Sequence, residues 1–370
     1  MTSKPCMKSG ARAGLASILV ACLCGLAPAV RAQEEFALSA AEKSLQELNA
    51  APAAERTRRL EEGARAEGRL SIIQTIRGEL GNGQIELFRR RYPFIAVDST
   101  SDIGSPEATE RMYAEELSGR HLTDVINVAI VDLPELLQHD FLARYASPAT
   151  AAILPGYKPF GDPKNRWTLS FWSDRGMSYN PDLVPPDHAP HGWMDLCKPF
   201  FRGNVSFEGA QSRFLLGLHA IMGEGVFDFF RCIGANEPIV QRGLPERVQM
   251  MLNGDHMVVA DSYLYQGLAE QRKNPAAHYA IAYPGPIIAT YGGVSINRNT
   301  PQPYASALFV DWMLGNEEQQ YLSRRLRGPV TLKHPYLQDD AVLVATPAQA
   351  PAGLADRLVN AWLRDAEHKL

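Results

Sequence analysis

Apolar residues recur along this chain in two alternating modes, short continuous runs and stripes at helical spacing. Residues 33–67 are rich in Ala and Glu, with Leu45 and Leu48, then Leu60 and Ala64, at helical intervals. The mode then changes. Residues 70–76 (LSIIQTI) read as a short buried strand, Gly81-Asn82-Gly83 as a turn, and Ile85, Leu87 and Phe88 as the face of a following helix. Residues 95–97 are a second strand. Residues 107–118 are a helix for which Ser105 is a candidate N-cap, 124–129 a third strand and 133–138 a third helix. Strands alternating with helices predict a mainly parallel sheet covered on both faces.

The second half repeats this pattern. Strand character occupies 167–179, 203–207 and 256–260, the last preceded by the turn Asn253-Gly254-Asp255. Phe214, Leu215, Leu218 and Met222 stripe a helix over 213–222. Residues 281–296 are strand-rich, 304–323 read as one long helix with Leu308, Phe309, Trp312 and Met313 inward, and 354–368 as a terminal helix. There is no repeat, heptad or low-complexity linker. Two α/β halves without a linker predict two lobes joined by strands, with a cleft between them.

The N-terminus narrows the function classes. Lys4, Lys8 and Arg12 precede an apolar run over 13–27 and then Pro28-Ala29-Val30-Arg31-Ala32, which reads as a secretory signal peptide (1–32) cut after Ala32. The run is shorter than the roughly 20 apolar residues that span a bilayer. Leu19-Val20-Ala21-Cys22 also resembles a lipobox, which would make Cys22 a lipid-bearing terminus. Outside the cytoplasm a large chain is typically a binding protein or a hydrolase. The net charge of −4 gives no basic excess for a phosphate backbone, so nucleic acid is not an expected partner. Of five cysteines, Cys197 and Cys232 lie beyond the leader; they either pair or stay as buried thiols.

Few motifs carry chemistry. GELGNGQ (78–84) sits between a strand and a helix, but Glu86 stands where a dinucleotide loop needs its third Gly. His188 and His191 lie in a Pro-rich loop with no third metal ligand signalled. No G-x-S-x-G, H-E-x-x-H or P-loop is present. The stretch 258–266 (VVADSYLYQ) is more informative. It releases Asp261, Ser262, Tyr263 and Tyr265 at the C-terminal end of a strand, where ligands bind in open α/β folds.

Several segments together resemble a known family. Glu67-Gly68-Arg69-Leu70, Phe88 with Tyr92-Pro93, Asp124-Val125 and Tyr145-Ala146-Ser147-Pro148 follow its order. Trp193-Met194-Asp195-Leu196-Cys197-Lys198-Pro199 with Arg202-Gly203, Tyr283-Pro284-Gly285 and Tyr291-Gly292-Gly293-Val294 complete the likeness, which spans about residues 66–335. The family is that of the family 1 extracellular solute-binding proteins, periplasmic components of iron(III)-type ABC importers. The resemblance implies a type II-like periplasmic-binding-protein fold, a two-lobed clamp that closes on its ligand.

Its iron-binding branch holds ferric iron with adjacent tyrosines, a His, a Glu and a synergistic anion. Here Tyr263 falls on the first tyrosine but Leu264 on the second, Ile76-Arg77 stands near the His position, and no carboxylate follows around Val128-Ala129. The anion loop keeps Gly209 and Ala210 and has Glu208 in place of a small hydroxyl residue. A hard trivalent cation wants several anionic oxygens. Arg77 and Arg175 instead suit a carboxylate, phosphate or phosphonate, with Glu208 and Tyr263 orienting an amine or hydroxyl and Trp172 stacking or packing at the hinge.

The expected organisation is a leader (1–32), a helical extension (33–67) that packs on a lobe or serves as a spacer, a first lobe (68–170 with 284–325) and a second (171–283 with 326–370). The expected function is that of a monomeric periplasmic solute receptor. It delivers a small anionic solute or chelated ferric iron to an inner-membrane ABC permease and performs no catalysis. The candidate ligand-binding residues are Tyr263, Tyr265, Arg77, Arg175, Glu208, Gly209, Ala210 and Asp261. Tyr263 and Tyr265 are the metal ligands if Fe3+ is the cargo. A secreted hydrolase and a receptor-docking sensor are the rival classes.

Overall fold

The computed structural model describes residues 37–283, 285–347 and 350–367. The expected leader, with Cys22 and the Ala32 cut, and Pro284 of the Tyr283-Pro284-Gly285 segment lie outside the described residues. In chain order the elements are α1 (Ala40–Ala50), α2 (Ala53–Glu67), β1 (Arg69–Gln74), α3 (Gly78–Arg91), β2 (Ala96–Thr100), α4 (Ser105–Leu117), β3 (Val125–Ala129), α5 (Pro134–Gln138) and β4 (Thr168–Tyr179). They continue with β5 (Val205–Phe207), α6 (Ser212–Met222), α7 (Val226–Ala235), β6 (Ile239–Val240), α8 (Leu244–Asn253), β7 (Val258–Ser262), α9 (Leu264–Lys273) and β8 (Ala280–Ile281). The last are β9 (Ile287–Ile296), α10 (Pro303–Met313), α11 (Asn316–Arg324), β10 (Gly328–Pro329), β11 (Leu343–Ala345) and α12 (Leu354–Asp365).

The strands run in the order β2-β1-β3-β9-β4-β7-β5-β6. β1 pairs parallel with β2 and β3, and β7 and β6 pair parallel with β5. The two parallel groups meet through the long antiparallel pair β4 and β9, which runs from Thr168 opposite Val294 to Arg175 opposite Ile288. The fold is a two-lobed α/β clamp, with this pair passing from one lobe into the other.

The second lobe has an aromatic core in which Trp193, Phe207, Phe214, Phe229, Phe230 and Trp362 are buried. The disulfide Cys197–Cys232, with a Cα–Cα separation of 5.6 Å, ties the turn after Trp193 to α7. The first lobe buries an aliphatic and aromatic cluster that includes Leu45, Leu48, Leu60, Phe88, Phe309 and Trp312. The helices α1 and α2 pack into that cluster through Leu45, Leu48, Leu60 and Ala64. Burial of Leu45, Leu48 and Leu60 contributes on the order of 2 kcal/mol each. Ser39 and Glu42 form a capping box at the start of α1, and Arg56 bridges to Asp311 of α10 at 2.8 Å. Glu67, the last residue of α2, accepts the Tyr304 and Ala305 amides at the start of α10.

Three expectations about local structure are corrected. Gly81-Asn82-Gly83 is no turn but lies inside α3. A Cβ at Gly81 would run into the Ile76 carbonyl oxygen, and one at Gly83 into the Tyr321 hydroxyl, so these glycines serve close packing. Ser105 is the first residue of α4 rather than its cap. The long helix over 304–323 is two, α10 and α11. At Gly315 the backbone turns extended (φ −68°, ψ 153°) and its amide returns to the Trp312 carbonyl at 2.8 Å. The break brings Gln319 against the hinge. Its amide donates to the Ser170 and Met313 carbonyls, both at 2.8 Å, and accepts from the Val330 amide at 2.7 Å.

Candidate functional site

A cleft of about 1030 Å³ runs between the lobes. Its most buried cation is Arg175, on β4. Nη1 donates to Gln211 Oε1 at 2.6 Å and Nη2 to the Tyr263 hydroxyl at 3.0 Å. The guanidinium also lies over the Tyr263 ring, 4.4 Å from its centroid. Burial alone would push this guanidinium's pKa down, but Tyr263, Asp261 and Glu208 outweigh it and hold the pKa above its ordinary value.

Tyr263 projects from the point where β7 ends and α9 begins, and Leu264 behind it is fully buried. Glu208 follows β5, with one carboxylate oxygen 3.8 Å from both Arg175 and the buried Arg247. Asp261 is buried beneath these residues. It accepts Arg247 Nη1 at 2.6 Å and the Glu208 amide at 2.9 Å.

On the first-lobe side Arg77 occupies the N-cap position of α3 without a side-chain capping bond, and its Nε donates to the Ile103 carbonyl at 3.3 Å. The Ser105 hydroxyl donates to the Asp132 carboxylate and accepts the Ala129 amide at 3.0 Å. Asp132 also meets Arg213, the second residue of α6 in the other lobe, at 2.8 Å. Burial raises the Asp132 pKa against the lowering effects of Arg213 and Ser105. Beyond Tyr265, Arg327 donates to Ser173 Oγ at 2.9 Å. Arg272 and Arg325 line the same cleft.

Arg77, Arg175, Glu208, Tyr263 and Tyr265 all line the cleft, whereas Gly209, Ala210 and Asp261 do not. Gly209 has φ +104° and would meet Glu367 rather than the cleft if it bore a Cβ. Ala210 packs on the second-lobe core. Sequence reasoning missed Ser105 as a lining residue, together with Arg213, Arg272, Arg325 and Arg327. The run Arg324-Arg325-Leu326-Arg327 was a visible signal that reads as helix C-terminal charge. The lining holds Arg77, Arg175, Arg213, Arg272, Arg325 and Arg327 against two carboxylates, Glu79 and Glu208.

This donor set does not fit ferric iron. The Tyr263 hydroxyl is hydrogen-bonded by an arginine. Among the described residues no group of three or more His, Cys, Asp or Glu side chains is placed to hold a metal ion. His188 stacks on Phe200, and His191 Nδ1 lies 3.0 Å from the Tyr283 carbonyl oxygen.

Residues 133–352, more than half of the chain, match a family model described as bacterial extracellular solute-binding protein. No curated protein sequence matches the chain significantly. Among solved structures, the chain is similar to the periplasmic binding protein AfuA from Actinobacillus pleuropneumoniae with fructose-6-phosphate bound. The identity is 18%, the match covers 81% of this chain and 99% of that one, and the TM-score is 0.63. Iron-bound HitA from Pseudomonas aeruginosa matches at 17% identity over 82% and 99% of the two chains, with a TM-score of 0.62. The substrate binding protein of an ABC transporter from Agrobacterium tumefaciens matches at 12% over 82% and 96%, with a TM-score of 0.66. At these identities the likeness establishes the fold alone.

Proposed function

The chain belongs to the bacterial extracellular solute-binding proteins, and from that premise we propose that it captures a small anionic organic solute, with a phosphate or phosphonate as its anchor, for an ABC importer. The observation that carries this reading is the surplus of arginines over carboxylates along the cleft, with Arg175 already held in place by Tyr263 and Gln211. Arginine grips such oxyanions with two parallel hydrogen bonds. The starts of α4 and α6 also open on the cleft at Ser105 and Arg213, and helix N-termini favour anions. One solved relative in fold holds a sugar phosphate, in line with this choice; another holds iron, for which the donor set here is poorly suited.

The protein works after export, its leader removed at Ala32, as a periplasmic monomer that docks on an inner-membrane permease. The closing bodies are the two lobes, with working boundaries 68–170 with 284–325 and 171–283 with 326–370, the turn after α11 lying at their junction. On this reading the role is capture and delivery without turnover. Calorimetric titration with inorganic phosphate, fructose-6-phosphate and ferric citrate tests this. A phosphorylated solute should bind, and Arg175→Lys, which keeps the charge but loses the two-pronged grip, should weaken it about 10-fold or more. Binding of iron alone, with no response to phosphorylated solutes, would overturn the reading.

A further inference from the structure

The cleft contains two arginine-on-tyrosine units side by side. Arg175 lies 4.4 Å from the Tyr263 ring centroid, and Arg327 lies 4.6 Å from that of Tyr265. The two rings, one residue apart in sequence, have centroids 6.0 Å apart. Each arginine has one neutral side-chain hydroxyl partner, Tyr263 for Arg175 and Ser173 for Arg327. The Arg327 Nε–H is buried and meets no acceptor, which leaves a desolvated charged donor unsatisfied, a costly state. Arg272 of α9 lines the same cleft and donates to the Arg324 carbonyl, three residues before Arg327, at 3.4 Å. Arg325 stacks on Tyr321 at 4.1 Å beside it.

Ion pairing separates the two units. Arg175 has Glu208 at 3.8 Å and Arg213 has Asp132 at 2.8 Å. Arg272, Arg325 and Arg327 line the cleft and make no ion pair among the described residues. A single phosphate group carries about two charges at neutral pH, and one or two arginines satisfy it. The Arg175 unit can supply that grip, and the Arg327 unit is then available for a second anionic group.

On the premise of the anion-binding reading above, we propose that the cleft selects compact solutes with two anionic groups, such as a phosphorylated short-chain carboxylic acid, the first group held at Arg175 and the second at Arg327 with Arg272. The close spacing of the two rings favours a three- or four-carbon separation over the ends of an extended chain. The aromatic pair between the grips contacts the carbon chain.

Matched pairs that differ in one anionic group test this by calorimetric titration. The pairs are 3-phosphoglycerate against glycerol 3-phosphate, phosphonoacetate against ethylphosphonate, and fructose 1,6-bisphosphate against fructose 6-phosphate. The doubly anionic member of at least one compact pair should bind 10-fold or more tightly. Arg327→Gln should reduce that preference to near unity, the doubly anionic member losing at least 10-fold more affinity than the singly anionic one. Arg272→Ala, at an exposed position, should reduce it in the same direction and guards against misfolding of the Arg327 variant. Equal affinities within every pair overturn the second grip and leave the anion reading intact. Failure of every member and of inorganic phosphate to bind overturns both.

Discussion

The two lobes cohere by different means, and their cleft walls differ accordingly. The second lobe is an aromatic core closed by the Cys197–Cys232 bridge. The first is fastened by buried charge. Glu42 takes Arg144 at 2.7 Å and Arg298 at 3.1 Å, Asp140 takes both arginines again, and Arg56 meets Asp311. In the cleft the pattern reverses. The second-lobe wall presents Arg175 held by Gln211 and Tyr263 and Arg213 paired with Asp132, while Arg272 on α9 makes no ion pair among the described residues. Across the cleft Arg77, and at the lobe junction Arg325 and Arg327 of the turn after α11, make no ion pair among the described residues. On the proposed reading, Arg175 is ready for an anion and the unpaired arginines complete the grip as the lobes close.

Four perturbations probe that contrast. Replacing Cys197 and Cys232 together by Ser opens a loop with a sequence separation of 35, and chain entropy sets the expected loss at about 4 kcal/mol. Urea unfolding should show it in the second lobe. Equal midpoints for the oxidised and the Ser-substituted protein would show that the aromatic core suffices.

Asp311→Ala should cost about 3 kcal/mol in the first lobe. It removes the acceptor for Arg56, Tyr145 and Ser147 at once and leaves a mostly buried cation unpaired. A loss below about 0.5 kcal/mol would place this cluster among surface pairs that contribute little.

Glu318 sharpens the contrast through pH. Burial raises its pKa to about 8 against the lowering effect of the Gln84 hydrogen bond. A folded-state pKa above the unfolded value means that the stabilisation is complete below about pH 4.5 and is lost as pH rises through about 8. The wild-type first lobe should thus lose on the order of 2 kcal/mol relative to Glu318→Gln between pH 5 and pH 9. Parallel stability profiles for the two proteins would remove Glu318 as the source.

The smallest effect concerns an ion pair between the lobes. Arg213→Ala breaks the bridge to Asp132 and should weaken ligand binding about 5-fold, with little change in the melting temperature of the ligand-free protein. A large loss of stability instead would make this pair a structural clasp.

The alternation of strand and helix was legible because period-2 and period-3.6 patterns reflect burial, and burial decided the layers. The extension's inward face at Leu45, Leu48, Leu60 and Ala64 was readable for the same reason. Contacts distant in sequence were not readable. Gly81-Asn82-Gly83 carries a turn's composition, but it lies in a helix because Ile76 and Tyr321 press against it. Leu326 takes φ +61° at the end of α11, with the Arg327 amide returning to the Leu322 carbonyl at 2.9 Å. This helix-ending turn normally carries glycine, so a Leu there conceals the change of direction that brings Arg327 to the cleft. Asp261 looked like a ligand because it ends a strand, yet its partner is the buried Arg247, fourteen positions earlier.

The most direct measurement is native mass spectrometry on protein isolated gently from the periplasm of cells that express it. An organic adduct that contains phosphorus, retained by the wild type and lost from Arg175→Lys, is the result this account predicts. A bound mass equal to iron, alone or with a carbonate- or citrate-sized anion, would contradict it and return the cleft to Tyr263 and Tyr265 as metal ligands.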